Sequence, residues 1–318
     1  MGSSTEYQRI ALCLVAVSLK RSFSWRRPGA ILAAVALLGT AAASSCGKSK
    51  KPIIVGSKDT TAQAILAEIV AQHLEHRLGR KVVRRLSLGS SPIVYQSFAN
   101  GEIGLYPEET GTMLAVILKD SASFDASTTL ERVRTEMLRV AQAEVLDPLG
   151  IDNGWAVVVP KSAAQNIETL SAAQSAKTGW KIGVTRDFSG RSDGFAAFNQ
   201  YRMPMSAPLR IADPASLYGS LATGDLTMVV GSQTDGWLAR HNEWKMLQDD
   251  KKAFGYYQTC LLVRSDLVLS DPAIKPALAE LSGTMSKEIM QNLDAKVAID
   301  HKTPADVAKE FLASTNLK

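Results

Sequence analysis

Two adjacent carboxylates, Glu108 and Glu109, stand in the stretch GLYPEETGT, between a Tyr-Pro pair read as a turn and an apolar run from Met113 to Leu118. Such a pair can carry out acid/base chemistry, hold a cation, or place negative charge at a helix N-terminus. Acid/base work needs partners, and the chain offers few. Its four histidines, His73, His76, His241 and His301, are scattered. His73 and His76 lie one helical turn apart around Glu75, a spacing that suits a satisfied or solvated helix face better than a metal site. No phosphate-cradling G-x-x-x-x-G-K-[ST], no G-x-G-x-x-G and no nucleophile elbow G-x-S-x-G occurs. The S-x-x-K match from Ser45 to Lys48 falls at the end of a leader and would be lost with it. The pair Asp249-Asp250 reads as a surface or hinge feature. We therefore expect no enzyme activity, no cofactor and no metal.

Charge and composition narrow the class further. The 318 residues are 46% hydrophobic and 21% charged, which is ordinary for a globular chain, and the formal net charge is +5. Arg9, Lys20, Arg21, Arg26 and Arg27 against Glu6 place +4 of that in residues 1–45, so the body carries only +1. Nucleic acid is not an expected partner, since no basic stripe interleaved with aromatics appears in the body. The leader itself joins the basic SWRRPG to the apolar AILAAVALLGTAAA and to small residues before Cys46, which reads as an export signal. We expect residues 1–45 to be a signal segment, Cys46 to be lipidated, and residues 46–52 to be a linker. Removal of the leader leaves Cys260 as the single thiol, a small buried strand residue, with no internal disulfide.

The elements that must position these residues follow from apolar periodicity. PIIVGS reads as a buried parallel strand, and the residues from Ile65 to Leu78 repeat at i, i+4 as a helix capped by Thr60 or Thr61. KVVRRLSL, SPIVYQSFANG and EIGLY continue the alternation as strand, helix and strand. A long helix is expected from about Thr128 to Val145. The pattern restarts with the strand Trp155 to Val159, WKIGVT, a helix in GFAAFNQYR, LRIA, a helix in PASLYGSLATG, and LTMVVG. After the strand TCLLVR only helices follow, near 271–281, 286–298 and 304–314, and they are expected to pack back on the first half. The fold class is α/β, with a mostly parallel sheet in the first lobe, a second α/β lobe, a hinge and an interlobe cleft. The first lobe is expected from residues 53–154 and 258–318, the second from 155–257.

Five blocks in order, GSKDTTAQAILAEIVAQHLE, GEIGLYPEETGT, FSGRSDGF, SQTDG and LQDDKKAFGYYQTC, resemble the substrate-binding proteins of ABC importers for glycine betaine, choline and related quaternary ammonium osmolytes. The resemblance runs from about Ile53 to Leu312. It implies a periplasmic-binding-protein-like (type II) fold, an aromatic box for the ammonium and a separate grip for a ligand carboxylate. A methylated cation donates no hydrogen bonds, so rings must hold it, at about 0.5–2 kcal/mol per cation-π contact. A carboxylate needs donors and positive charge.

Carried over motif by motif, the resemblance assigns Lys58 and Arg191 to the carboxylate grip and Thr112 to a hydroxyl contact. For the box it implies Trp155 in IDNGWA, Tyr257 in FGYYQ, and Tyr256 beside it. Three box positions depart from the family: Glu109 stands where YPEYTGT has Tyr, Trp155 where NNTYA has Tyr, and Ser232 where YSTDG has Tyr, so only Trp155 of the three still offers a ring. Glu109 has two open readings. It either serves a protonated amine or guanidinium in the cleft, or points into solvent as the acidic first turn of a helix starting near Gly111. Glu108 is expected to fix the turn, and Thr234 and Asp235 to cap the next helix. The implied function is an exported, lipid-anchored, monomeric receptor that binds a small cationic or zwitterionic compound and delivers it to a permease and its ATPase subunits. A sensory domain that uses the same cleft to signal to a membrane partner is the alternative.

Overall fold

The computed structural model describes residues 50–120, 125–175, 179–315 and 317. The expected export signal and Cys46 lie outside the described residues.

The described residues form two five-stranded sheets. The first takes β1 (Ile54–Gly56), β2 (Val83–Arg85), β3 (Leu105–Glu109), β4 (Ala143–Val145) and, from much later in the chain, β10 (Thr259–Arg264), in the order β2-β1-β3-β10-β4. The second takes β5 (Trp155–Pro160), β6 (Ile182–Val184), β7 (Arg210–Ile211), β8 (Met228–Ser232) and β9 (Trp244–Leu247), in the order β7-β6-β8-β5-β9. Parallel pairing holds among β2, β1 and β3 and among β7, β6 and β8. The sheets are nevertheless mixed, because β10 runs antiparallel to β3 and β4, and β5 antiparallel to β8 and β9. A strand entering from the other lobe meets its neighbours without a βα crossover, so nothing forces it to be parallel.

The helix α1 (Thr61–Leu78) is the spine of the first lobe. Thr60 caps it, accepting from Gln63 N at 3.4 Å, and Gly79 ends it at φ 62, a left-handed position that favours glycine. Its apolar side chains are buried almost all round, from Ala62 to Leu74. The reason is a second layer: the helices Ile274–Ala279, Lys287–Ala298 and Pro304–Ser314 contribute Ile274, Leu278, Met290, Leu293, Val307 and Phe311 to the same core as Ile65, Ile69 and Leu74. Each such fully buried aliphatic contributes about 1.5–3 kcal/mol. The second lobe is built the same way, around Val157, Val159, Ile182, Phe188, Phe198 and Val230.

Three local expectations need correction. The long helix spans Ala126–Ala141 and stops at Gln142, whose φ of 48 leaves the helical region, so residues 143–145 become an edge strand. Tyr106-Pro107 is no turn: β3 runs straight through it, pairing Pro107 with Leu261 and Glu109 with Thr259. The strand Trp244–Leu247, which no periodicity signalled, closes the edge of the second sheet.

The chain passes between the sheets twice, through residues 146–154 and 248–258. These crossings pair with each other: Asn153 N donates to Tyr257 O at 2.9 Å, Thr259 N to Ile151 O at 2.9 Å, and Tyr257 N to Asp152 Oδ1 at 3.1 Å. Gly111 lies against this ribbon. A Cβ there would sit 2.6 Å from Tyr256 O and 2.7 Å from the Tyr257 ring, so only glycine fits.

Candidate functional site

The C-terminal end of β3 delivers Glu108 and Glu109 to the side of the first sheet that meets the ribbon, and both are buried, Glu109 at 4% exposure. The reading of Glu109 as a solvent-facing first-turn acid is therefore wrong. Its backbone precedes the short helix Thr110–Thr112, but its side chain makes no cap bond and turns inward. Oε2 accepts from Lys58 Nζ, and Oε1 accepts from Gln63 Nε2 at 2.8 Å and from Asn153 Nδ2 at 3.2 Å. Glu108, expected to fix a turn, instead accepts from Lys58 Nζ at 2.6 Å and from Glu109 N at 3.0 Å.

Burial alone would discharge this triad, and the groups respond differently. Desolvation pushes the Glu108 carboxyl up, with Glu109 adding to it and Lys58 opposing. Glu109 is also desolvated, but Lys58, the Glu108 contact and Asn153 hold it below the usual carboxylate range. Desolvation pulls Lys58 down, yet the two carboxylates win and raise it. The surroundings thus push the two acids apart, Glu109 toward its charged form and Glu108 toward its neutral one. Lys58, assigned to a ligand carboxylate at the N-terminus of α1, is committed to β3.

Arg191 follows the helix Arg186–Gly190 of the second lobe and is held as a fork by Asp193, with Nε donating to Oδ1 at 2.8 Å and Nη2 to Oδ2 at 2.6 Å. Nη1 donates to Asp187 Oδ2 at 3.2 Å, and Nη2 also reaches Thr112 Oγ1, on the first lobe, at 3.0 Å. Its guanidinium lies over the Trp155 ring, 5.2 Å from the centroid. Asp193 is completed by the Tyr257 hydroxyl at 2.7 Å.

The rings gather at the same place. Trp155 opens β5 opposite Ser232 of β8, and its ring meets Phe188 at 4.9 Å and Tyr257 at 6.4 Å, both edge to face. Its indole N–H is buried without an acceptor. Tyr256 is 37% exposed and with Trp155, Asp152, Gly154, Gln233 and Lys252 lines a cavity of about 170 Å³ beside the ribbon. A larger open depression, around Lys161, Gln165, Glu168 and Lys245, includes none of these residues.

Ser232 joins the lobes through Asn153, whose Oδ1 accepts from Ser232 Oγ and, at 2.6 Å, from Thr234 Oγ1. Thr234 and Asp235 do not cap the helix Trp237–Arg240. Thr234 bonds Asn153, and Asp235 turns under its own strand to accept from Ser232 N at 2.9 Å and Tyr218 OH at 2.8 Å. Asp249 organises the approach to the ribbon, accepting from Tyr201 OH, Ala253 N and Phe254 N, while Asp250 accepts from Ser171 N. Burial pushes the Cys260 thiol up to about 12, and the His73 ring nitrogens face the carbonyls of Leu317 and Ala277, either of which can take its N–H. Among the described residues no group of His, Cys, Asp or Glu could hold a metal ion.

The structure thus brings Lys58, Glu109, Thr112, Trp155, Arg191, Ser232 and Tyr257 into one neighbourhood, with Tyr256 at its rim. Sequence reasoning missed Gln63 and Asn153. Gln63 left a signal: it is polar between Ala62 and Ala64 and one turn before Leu66 and Ala67.

The model of the substrate binding domain of ABC-type glycine betaine transport systems matches residues 51–314. The carnitine transport binding protein OpuCC of Listeria monocytogenes is 29% identical over 277 residues, 85% of this chain and 89% of that protein. The glycine-betaine-binding protein of Pseudomonas aeruginosa is 27% identical over 277 residues, 83% of this chain and 88% of that protein. A crystal structure described as a glycine betaine/carnitine/choline ABC transporter superposes with a TM-score of 0.74 at 25% identity, over 83% of this chain and 99% of that one.

Proposed function

The chain belongs to the family of substrate-binding domains of ABC-type glycine betaine transport systems, and from that premise we propose that its cleft captures a quaternary ammonium compound or a close cationic or zwitterionic relative. Proteins of this family are extracytoplasmic receptors that bind small ligands and deliver them to a permease. At the site the charged groups hold one another, Lys58 with Glu108 and Glu109, and Arg191 with Asp193.

The observation that carries the proposal is the meeting of Trp155 and Tyr257 with a cation already over the indole ring. A ring that holds a guanidinium is a ring face suited to an ammonium. The lobes are proposed as residues 53–154 with 258–318, and 155–257, consistent with the strands each sheet contains. Lys58, Glu109 and Thr112 are proposed to face Arg191 and Ser232 across the cleft, with Trp155, Tyr256 and Tyr257 at the hinge. Cys46 is proposed as a lipid anchor, and the receptor as a monomer. Among the described residues no helix is long and apolar enough to cross a membrane.

A thermal-shift and calorimetric panel of glycine betaine, choline, carnitine, ergothioneine, arginine and polyamines tests this reading. A true ligand at 100 times its Kd adds about 2.7 kcal/mol of stability. Stabilisation by arginine or polyamines alone would refute the quaternary ammonium assignment.

A further inference from the structure

The turn at residues 232–236, which follows β8, is gripped from the first half of the fold at a place away from the rings. The helix Lys287–Ala298, which shares a core with α1, meets this turn through Gln291, Asp294 and Ala295. Gln291 Nε2 donates to Gln233 O at 2.7 Å, Gly236 N donates to Asp294 Oδ2 at 2.8 Å, and the Gly236 backbone rests directly on that of Ala295. The other end of the same turn reaches the site. Ser232 N donates to Asp235 Oδ2 at 2.9 Å, Ser232 Oγ donates to Asn153 Oδ1, and Asn153 Nδ2 donates to Glu109 Oε1 at 3.2 Å.

Resting on the reading of the two sheets as lobes that close on a ligand, we propose that Asp294 is a positioning residue that clamps the 232–236 turn onto the first lobe in the closed form. The clamp holds while the Asp235–Asp294 pair keeps a proton and slackens when both acids are charged. Through Ser232 and Asn153, the state of the clamp is passed to Glu109.

The reason lies in what the two acids lack. Asp294 is 6% exposed, the donor it receives is a backbone N–H, and the acid nearest to it, Asp235, comes from the opposite side of the contact. Among the described residues neither acid has a cation partner. From the segment Trp237–Arg240, Arg240 is taken by Asp300; from the last helix, Glu310 is taken by Lys296 and Lys302. On α1, Glu68 is held by Arg84 and the His73 ring faces carbonyls, while on its own helix Lys287 stands beside Glu288. Asp235 receives only Ser232 N and the Tyr218 hydroxyl. Two buried carboxylates that share no cation are costly when both are charged, and one proton between them removes most of that cost. Burial first and Asp235 second push the Asp294 carboxyl up, and burial does the same to Asp235. Parting the turn from the helix returns Asp294 to water and to its ordinary value. The closed form is therefore favoured at low pH and loses that advantage as pH climbs through neutrality.

Two measurements on the purified receptor test the clamp. Small-angle X-ray scattering without ligand should find the wild type more compact at about pH 5.5 than at about pH 8.5. Asp294→Asn, which keeps the acceptor and removes the charge, should be compact at both, and Asp294→Ala extended at both. Calorimetric titration uses glycine betaine and choline, neither of which gains or loses a proton in this range. Wild-type affinity for whichever binds should fall about tenfold between the two pH values, and that of Asp294→Asn should change less than about threefold. Glu108 is present in both proteins, so its own titration cancels in the comparison. Identical pH profiles for the wild type and Asp294→Asn overturn the role of the proton. An Asp294→Ala protein as compact as the wild type at pH 5.5, and binding as tightly, overturns the clamp. Should the variants fail to fold, a wild type equally compact at both pH values overturns the proposal by itself, and one more compact at low pH supports it. If neither probe binds at either pH, the quaternary ammonium reading falls, and scattering still decides the clamp.

Discussion

Replacing Asp294 by Asn should make the protein more stable at neutral and alkaline pH. Asp294 sits on the helix Lys287–Ala298, packed across the lobe boundary against the segment before Trp237–Arg240. Its Oδ2 accepts from Gly236 N at 2.8 Å, and Gly236 is pressed so close that a Cβ would lie 2.2 Å from Ala295 N. Burial first, and the neighbouring Asp235 second, push the Asp294 carboxyl up to about 7. Asp235 is itself raised to about 6 by burial, against the bonds from Ser232 N and Tyr218 OH.

An acid with a raised folded pKa binds its proton more tightly in the folded than in the unfolded chain, so stability is lost as pH climbs from the unfolded value to the folded one. With an unfolded value of about 3.9 and a folded value of about 7, the loss is spread between those limits and reaches roughly 4 kcal/mol above them. Asn keeps an acceptor for Gly236 and removes the charge. Urea unfolding at about pH 5 and pH 8 should show Asp294→Asn more stable than wild type at both, with an advantage larger by roughly 2–3 kcal/mol at the higher pH. An equal change at both pH values, or a variant less stable at pH 8, would refute the claim that a buried carboxylate strains this interface.

Other perturbations read out the cleft. Gly111→Ala drives a methyl into the Tyr256 carbonyl and the Tyr257 ring, and should destabilise by about 1–3 kcal/mol while weakening ligand binding, measured by thermal melting and titration. Asn153→Ala strips Glu109, Ser232 and Thr234 of a shared partner; we expect a loss of about 1–3 kcal/mol in urea unfolding. Trp155→Ala should abolish measurable choline binding, whereas Trp155→Phe should retain it at a cost of about 0.5–2 kcal/mol. If both variants bound alike, the ring would have no part in recognition.

The α/β class and the two-lobed plan were legible because apolar runs and helical periodicity are local properties, and the segments around Ile54, Val157 and Ile182 show them plainly. Strand direction was not legible for β5 and β10, since it depends on which lobe a segment joins after crossing over. The strand Trp244–Leu247 failed to register because one of its four residues, Met246, is exposed and another is Lys245, so alternation never accumulates. At the site, position was readable and pairing was not. Motif order pointed to Lys58, Glu109 and Arg191, but the sequence carries no trace of Lys58 lying across β3 or of Asp193 taking both arms of Arg191. Those pairings join residues 50 and 51 apart, and Arg191 with a carboxylate two residues away that could as easily have faced water.

The insertion of β10 between β3 and β4 also sets the order in which the molecule can be finished. The second sheet draws all its strands from one continuous stretch, Trp155 to Leu247, and can form as soon as that stretch exists. The first sheet has a missing centre until Thr259–Arg264 arrives, and its helical covering comes later still. In a chain made from its N-terminus, the lobe that begins first is therefore completed last. Until then the edge of β3, ending at the Glu109 carboxylate, has no neighbour on the side that β10 will take. The same strand that seats the charge of the cleft is thus the exposed edge of a half-built sheet, the kind of edge that invites mispairing between chains.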